Sequence, residues 1–94
     1  MYNNLKLKKL AENCHSLYLS PTLIYGFSYE TCIFLYISDE DMVYIDRQAL
    51  EYSCTTNKHL YTLINTYSAY TVHSKKELLS LIKEEKIKYI DLTK

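Results

Sequence analysis

Three short apolar runs between positions 23 and 45 constrain the fold of this chain more than any other feature. They cover residues 23–29, 32–37 and 42–45, and polar residues separate them. Each run is rich in aromatic and β-branched side chains, and runs of this length and composition are typical of β-strands. The four polar residues 38–41 between the last two runs favour a hairpin loop. The sequence therefore predicts a β-sheet with a central hairpin.

The first twenty residues show a different spacing. Apolar side chains recur at i, i+3, i+4, i+7, i+10 and i+11, which is the spacing of one helix face. These residues are Leu7, Leu10, Ala11, Cys14, Leu17 and Tyr18. Asn3 or Asn4 can cap the first turn, and Pro21 disfavours helical geometry in the residue before it. The spacing predicts an N-terminal helix.

The C-terminal third combines strand and helix signals. Residues 69–73 and 87–92 have the composition of strands, and an apolar stripe lies between them at 78–82. Ser74 and Glu77 have the spacing of a capping box, in which serine is the N-cap residue and glutamate follows three positions later. So short a strand–helix–strand unit favours a crossover between two parallel strands.

Residues 46–67 allow two interpretations. Asp46 can cap a short turn, and Asn57 can cap a helix that carries four apolar residues on one face. Those four residues are Leu60, Leu63, Ile64 and Tyr67. The threonine and tyrosine content of the segment also allows strands.

The chain is long enough for one domain, residues 1–94. Hydrophobic residues make up 48% of it and charged residues 23%, a balance that is typical of globular proteins. We expect a small α+β domain with an N-terminal helix, a mixed β-sheet containing a central hairpin, and a C-terminal strand–helix–strand unit.

The cysteines Cys14, Cys32 and Cys54 are odd in number and lie far apart, without the paired spacing of a zinc site. We expect free thiols in a reducing cytoplasm, with no metal, no disulfide and no cofactor. No run approaches the roughly 20 apolar residues that span a bilayer. Lysines interrupt the apolar residues at the N-terminus, where a signal peptide would be continuous. The expected location is the cytoplasm, without a membrane partner.

No group of residues has the spacing of a catalytic motif, so we expect no catalytic residues. The most specific local pattern is His73, Ser74, Lys75 and Lys76, where the predicted strand meets the predicted helix. Free N–H groups at a helix N-terminus attract anions, and α/β sheets often bind ligands at such a point. One interpretation of this turn is an anion site that would suit a nucleotide. The simpler interpretation, a capped helix with two solvated lysines, is the favoured one.

Charge and tyrosine content bear on the partners. The formal net charge is zero, and residues 28–55 contain six acidic residues and the only arginine. Phosphate binding needs a concentrated basic face, and base recognition relies on arginine, so direct nucleic-acid binding is disfavoured. The 11 tyrosines offer the rigid amphipathic surface that is typical of protein interfaces. AT-rich coding accounts for part of this excess.

We interpret the chain as a small non-enzymatic inhibitor or adaptor of the kind carried by phages and other mobile elements, with an anti-CRISPR protein as one form. Its partner would be a host protein or ribonucleoprotein defence complex, or a second copy in a homodimer. The alternatives are a small nucleic-acid-binding regulator and a nucleotide-binding or nucleotide-cleaving protein that uses the turn 73–76.

The predicted contact surface combines strand tyrosines with the acidic loop of the central hairpin. Its residues are Tyr25, Tyr29, Tyr36, Tyr44, Asp39, Glu40 and Asp41. Because successive side chains of a strand alternate between faces, Tyr25 and Tyr29 should share one side, and Phe34 and Tyr36 share a side on which they can form an exposed pair. The acidic loop should be solvated and should contribute little to stability.

Overall fold

The computed structural model describes residues 6–92, which form six strands and two α-helices. The strands are β1 (Lys6–Ala11), β2 (Cys14–Ser20), β3 (Leu23–Ser28), β4 (Thr31–Ile37), β5 (Met42–Asp46) and β6 (Ile87–Ile90). The helices are α1 (Cys54–Tyr67) and α2 (Lys75–Lys83), and a 3₁₀ turn, Ala49–Glu51, precedes α1. The sheet order is β1-β2-β3-β4-β5-β6. Strands β1 to β5 pair antiparallel, and β6 joins β5 in parallel, so the α+β class and the mixed sheet are confirmed.

The predicted N-terminal helix is wrong, because this region forms the β1–β2 hairpin. The hairpin turns at Asn13, whose φ of 60° lies in the left-handed region that asparagine tolerates. The register shifts between Lys9 and Ala11, so Leu10 and Ala11 both pack against the core. This irregularity adds one residue to a strand spacing of two and thereby imitates helical spacing. The predicted caps Asn3 and Asn4 lie outside the described residues.

The central strands follow the prediction closely. β4 and β5 pair antiparallel across the polar turn at 38–41, with Ile37 opposite Met42. The region after β5 follows the helical interpretation rather than the strand one. α1 begins one turn earlier than expected, because the Ser53 side chain accepts a hydrogen bond from the Thr56 N–H and serves as N-cap in place of Asn57.

The predicted strand at 69–73 is also wrong, so the C-terminal strand–helix–strand unit does not form. The Asn65 side chain occupies both backbone groups of Val72. Its amide nitrogen donates to the Val72 carbonyl at 2.9 Å, and its oxygen accepts from the Val72 N–H at 2.7 Å. A residue whose N–H and C=O are both satisfied by a side chain has no need of a neighbouring strand. The C-terminal strand β6 therefore pairs with β5 instead.

Both helices contribute to one core on one side of the sheet. Leu60, Leu63 and Ile64 of α1 and Leu78 of α2 are completely buried, and they cluster with side chains of the middle strands. Those strand residues include Ile24, Phe34, Tyr36, Val43 and Ile45. The fold therefore has two layers, a sheet and a helical layer.

Candidate protein-interaction face

The strand register places one row of side chains across the whole sheet. Each of these residues lies directly opposite the next in the pairing of neighbouring strands: Leu7, Leu17, Tyr25, Leu35, Tyr44 and Lys88. Directly opposite residues point to the same side of a sheet. A second row on that side consists of Leu23, Ile37 and Met42, and Phe27 lies two positions beyond Tyr25.

We call this side the open face. Its apolar residues are Leu7, Leu17, Leu23, Tyr25, Phe27, Leu35, Ile37, Met42 and Tyr44. The helices lie on the other side: the core cluster includes Phe34 and Tyr36 of β4 but, within residues 6–92, not Leu35 between them. Side chains alternate along a strand, so Leu35 and its row face away from α1 and α2.

The open face is apolar from its centre almost to its edges. Leu35 at the centre is only 7% exposed, whereas Leu7 on the edge strand is 67% exposed. Leu17, Tyr25 and Tyr44 are half-buried. Charged side chains on this side lie at the periphery: Lys9 on the edge strand β1, Lys88 on β6, and Asp46 at the end of β5. Such a surface can exclude water against another apolar surface.

Residues 5–80 match the sequence profile of a family described as a family of unknown function, DUF8033. The chain belongs to this family. The matched region contains β1 to β5 and α1, and so all nine apolar residues of the open face. No curated protein and no solved structure matches the chain.

The structure divides the predicted tyrosines of this DUF8033 chain among three places. Tyr25 and Tyr44 lie on the open face. The predicted exposed pair is wrong, because Phe34 and Tyr36 lie on the helix side, at 0% and 8% exposure. The Tyr36 hydroxyl donates to the Asp41 carboxylate at 2.6 Å, and this bond, together with burial, raises the pKa of Tyr36 to about 12.

Tyr29 does not share a side with Tyr25. It follows the end of β3 in a left-handed conformation with a φ of 56°, and its N–H donates to the Asn13 carbonyl at 2.7 Å. Its ring centroid lies 6.0 Å from that of His59 in α1, so the side chain, 55% exposed, leans toward the helical layer. The alternation argument fails here because the strand ends at Ser28.

The acidic loop also divides. Asp39, Glu40 and Asp41 are all exposed, and Asp41 also accepts a hydrogen bond from the Tyr36 hydroxyl and adopts a φ of 47°. Asp41 therefore has a structural contact in the turn in addition to its exposure to solvent. The loop lies at one end of the open face, next to the row that contains Ile37 and Met42.

The predicted anion turn already holds a carboxylate of the chain itself. Ser74 accepts from the Glu77 N–H at 3.2 Å, and the Glu77 side chain accepts from the His73 N–H at 2.7 Å. Lys75 extends to the Leu50 carbonyl, 3.5 Å away. These bonds realise the predicted capping arrangement, and His73 to Lys76 are all exposed.

One polar cluster had no sequence signal, because its members are far apart in the chain. The His59 Nε2 lies 3.0 Å from the Glu12 carbonyl, and its Nδ1 lies 2.7 Å from the Ser28 hydroxyl. A carbonyl only accepts, so Nε2 carries a proton, and in the neutral imidazole the Ser28 hydroxyl donates to Nδ1. Thr56 lies 3.3 Å from Ser28 and completes the chain of hydroxyls.

A serine that donates to a histidine is also the arrangement of an activated nucleophile. Here Ser28 is 3% exposed and His59 is 5% exposed, so the pair lies inside the protein and joins α1 to the β1–β2 turn. Within residues 6–92, no cluster of three or more histidine, cysteine, aspartate and glutamate side chains is arranged to hold a metal ion. The cysteines are free, and burial raises the pKa of Cys14 to about 11. Neither α1 nor α2, the helices of the described residues, could cross a membrane.

Proposed function

We propose that this protein is a non-enzymatic interaction protein and that the open face is its contact surface for another protein. The observation that carries the proposal is a sheet that is apolar on both sides while its two helices pack on one. Extended apolar patches on the surface of a protein often mark interaction sites, whereas single scattered apolar residues do not.

The strand sequences support this proposal. An antiparallel sheet that faces water on one side alternates apolar and polar residues, whereas strands buried on both sides are continuously apolar. β4 is apolar from Cys32 to Ile37, so both of its faces have the composition of buried surface. The positions that would be polar in a water-facing sheet are occupied by Leu17, Tyr25 and Tyr44. The composition of the open face is thus that of a second buried layer.

The surface favours a protein over nucleic acid or a nucleotide. Nucleic-acid affinity comes mainly from lysine and arginine beside phosphates. On the open face the lysines Lys9 and Lys88 lie on the outer strands β1 and β6, and the middle strands carry leucine and tyrosine there. Tyrosine and leucine instead bury apolar area on contact, and tyrosine does so with little loss of side-chain entropy. The class expected from the sequence, a phage-type inhibitor or adaptor directed at a host protein or defence complex, is retained within this proposal.

Photo-crosslinking tests the surface. p-Benzoylphenylalanine replaces Tyr44 on the open face or, as a control, Tyr52, which is 44% exposed beside the 3₁₀ turn of the helical layer. After irradiation in cells, we expect a specific protein adduct from position 44 and little from position 52. Mass spectrometry then identifies the crosslinked chain. Absence of any adduct from position 44, with the protein folded and abundant, would contradict the proposal.

A further inference from the structure

Within the proposed function, on which this step rests, we infer that the occupant of the open face is a second copy of this chain. The two sheets would pack face to face about a two-fold axis that lies between them, parallel to the strands and midway between β3 and β4. Face-to-face packing of two sheets, about 10 Å apart, is the arrangement of β-sandwiches. The evidence is the order of side chains in the central row.

The central row is complementary to itself under this rotation. From β2 to β5 it alternates between leucine and tyrosine: Leu17, Tyr25, Leu35, Tyr44. A two-fold axis between β3 and β4 brings β3 over β4 of the second copy and β2 over β5. Each tyrosine therefore meets a leucine, and no two tyrosines collide. A large ring against a smaller branched side chain is the packing that fills space between layers.

The neighbouring rows agree with the same axis. Leu23 on β3 would lie over Ile37 on β4 of the second copy, which is an apolar pair. At the margins, Leu7 on β1 would lie over Lys88 on β6, where the lysine stem can cover the leucine and its ammonium can reach water. The dimer therefore needs no buried charge in its central rows.

Charge and edges also favour this packing. The chain has a formal net charge of zero, so two copies do not repel each other overall. The acidic turn 38–41 joins β4 to β5, and the axis places it over the turn 21–22 of the second copy, which is uncharged. Pairing through the edge strand β1 is discouraged by Lys8 and Lys9, since lysines on an edge strand oppose strand addition.

The size of the face is adequate for a stable dimer. A standard interface takes about 800 Å² from each partner, about a seventh of the 5776 Å² surface of this chain. Six strands about 4.8 Å apart give a face about 24 Å wide, and nine large apolar side chains cover it. The dimer would leave both helical layers exposed, and the acidic turns would keep the side that points away from the turn 21–22 of the second copy, so any further partner would meet these surfaces in two copies.

Sedimentation equilibrium tests the inference directly. We expect the protein to sediment at twice its 11.2 kDa in the micromolar range. Tyr44→Glu should weaken the dimer at least tenfold, while the matched control Leu79→Glu, at a position 43% exposed on α2, should leave it unchanged. A wild-type protein that stays monomeric, or a Leu79→Glu variant that dissociates as readily as Tyr44→Glu, would overturn the inference.

Two further variants keep the test valid if Tyr44→Glu unfolds. Leu7 is highly exposed in the single chain, so Leu7→Lys and Leu7→Glu should both fold, as circular dichroism would show. Opposite Lys88 of the second copy, Leu7→Lys should weaken the dimer several-fold more than Leu7→Glu does. Equal effects of the two charges would contradict the axis.

Crosslinking of paired cysteines reads the register. Leu17→Cys protein is mixed with Tyr44→Cys protein, both carrying Cys32→Ser and Cys54→Ser, and treated with a bismaleimide that spans about the 10 Å between packed sheets. The mixture should give far more crosslinked dimer than Leu17→Cys protein alone, whose two copies of residue 17 lie about three strand spacings apart. The Tyr44 photo-crosslink distinguishes failure of this inference from failure of the proposed function. If the chain is monomeric and forms an adduct only with a different protein, the proposed function is retained and this inference is removed.

Discussion

At the residues beneath α1, the two faces of the sheet differ in the size of their side chains. Beneath α1, the helix-covered face carries Cys14, Ser16, Gly26 and Ser28, whereas the open face carries leucine and tyrosine in the matching strands. A helix needs small residues beneath it to approach a sheet closely. The face without helices is not under this limit and carries large side chains. The difference in size identifies the face against which α1 packs.

The faces also differ in how they are fixed. On the covered face, buried polar groups pair across the layers, as in the hydroxyls of Ser16 and Tyr67 and in the chain from Thr56 through Ser28 to His59. Satisfied buried hydrogen bonds specify one position for the helix, because any shift would leave them unpaired. Under the proposed association, the open face would rely on shape and apolar area.

Equal truncations on the two faces should have unequal costs. Phe34→Ala removes a fully buried ring beside Tyr67 and should lower the free energy of unfolding by about 3–5 kcal/mol. Phe27→Ala on the open face should cost the single chain clearly less, because its half-buried ring leaves no closed cavity. Urea denaturation at a concentration where the protein is monomeric measures both. Similar losses for the two variants would show that the open face is covered within one chain.

The smallest residue of the covered face gives a second test. A Cβ at Gly26 would lie 2.6 Å from a methyl of Leu63 and 2.9 Å from the Cβ of Phe34. Gly26→Ala should therefore lower the free energy of unfolding by about 1–3 kcal/mol through overpacking. Leu63→Ala in the same chain makes room, so the double variant should be more stable than the sum of the single losses implies. Strict additivity in urea denaturation would contradict the close approach of α1.

The sequence predicts the central strands well because their signal is local. The runs at 23–45 are bounded by polar residues, and strand length and composition are enough to place β3, β4 and β5. The capping serine and glutamate of α2 are likewise local and were placed correctly. The α+β class follows from these elements together.

The N-terminal hairpin could not be distinguished from a helix, because a register shift near Leu10 turned strand spacing into apparent helix spacing. The segment before α2 was misassigned because the amide of Asn65, seven residues away, replaces a strand partner of Val72. The candidate surface can be predicted only in part from the sequence, because it also depends on contacts between residues that are far apart in the chain. Alternation places Tyr25 and Tyr44, but only the position of the helices shows which face Phe34 and Tyr36 occupy.

Alkaline titration examines the covered face through Tyr36. Its pKa is raised to about 12 in the folded chain, first by its bond to Asp41 and then by burial. An unfolded tyrosine titrates near 10, so this contribution to stability is complete below about pH 10 and is lost as the pH rises to about 12. Tyr36→Phe should reduce the loss of stability over that range, and Asp41→Asn should reduce it by lowering the pKa of Tyr36. Denaturant melts at several pH values measure how steeply the free energy of unfolding falls with pH. If the Tyr36 hydroxyl were solvated, Tyr36→Phe would leave that slope unchanged.

Substitutions in the acidic turn should change the free energy of unfolding least, and neighbouring residues of this turn should differ clearly in their effect. Asp39→Lys with Glu40→Lys changes two exposed charges and should alter the free energy of unfolding by about 0.5 kcal/mol or less. Asp41→Ala removes the acceptor of the Tyr36 hydroxyl, a bond to a charged group, and should cost about 1.5 kcal/mol.

The double variant Asp39→Lys with Glu40→Lys also distinguishes the acidic turn from the open face. If the Asp39 and Glu40 double variant dimerises normally but loses a host partner, the open face serves self-association and the exposed acidic turn recognises the target. If it loses the dimer instead, the exposed charges of the turn belong to the interface between the two copies.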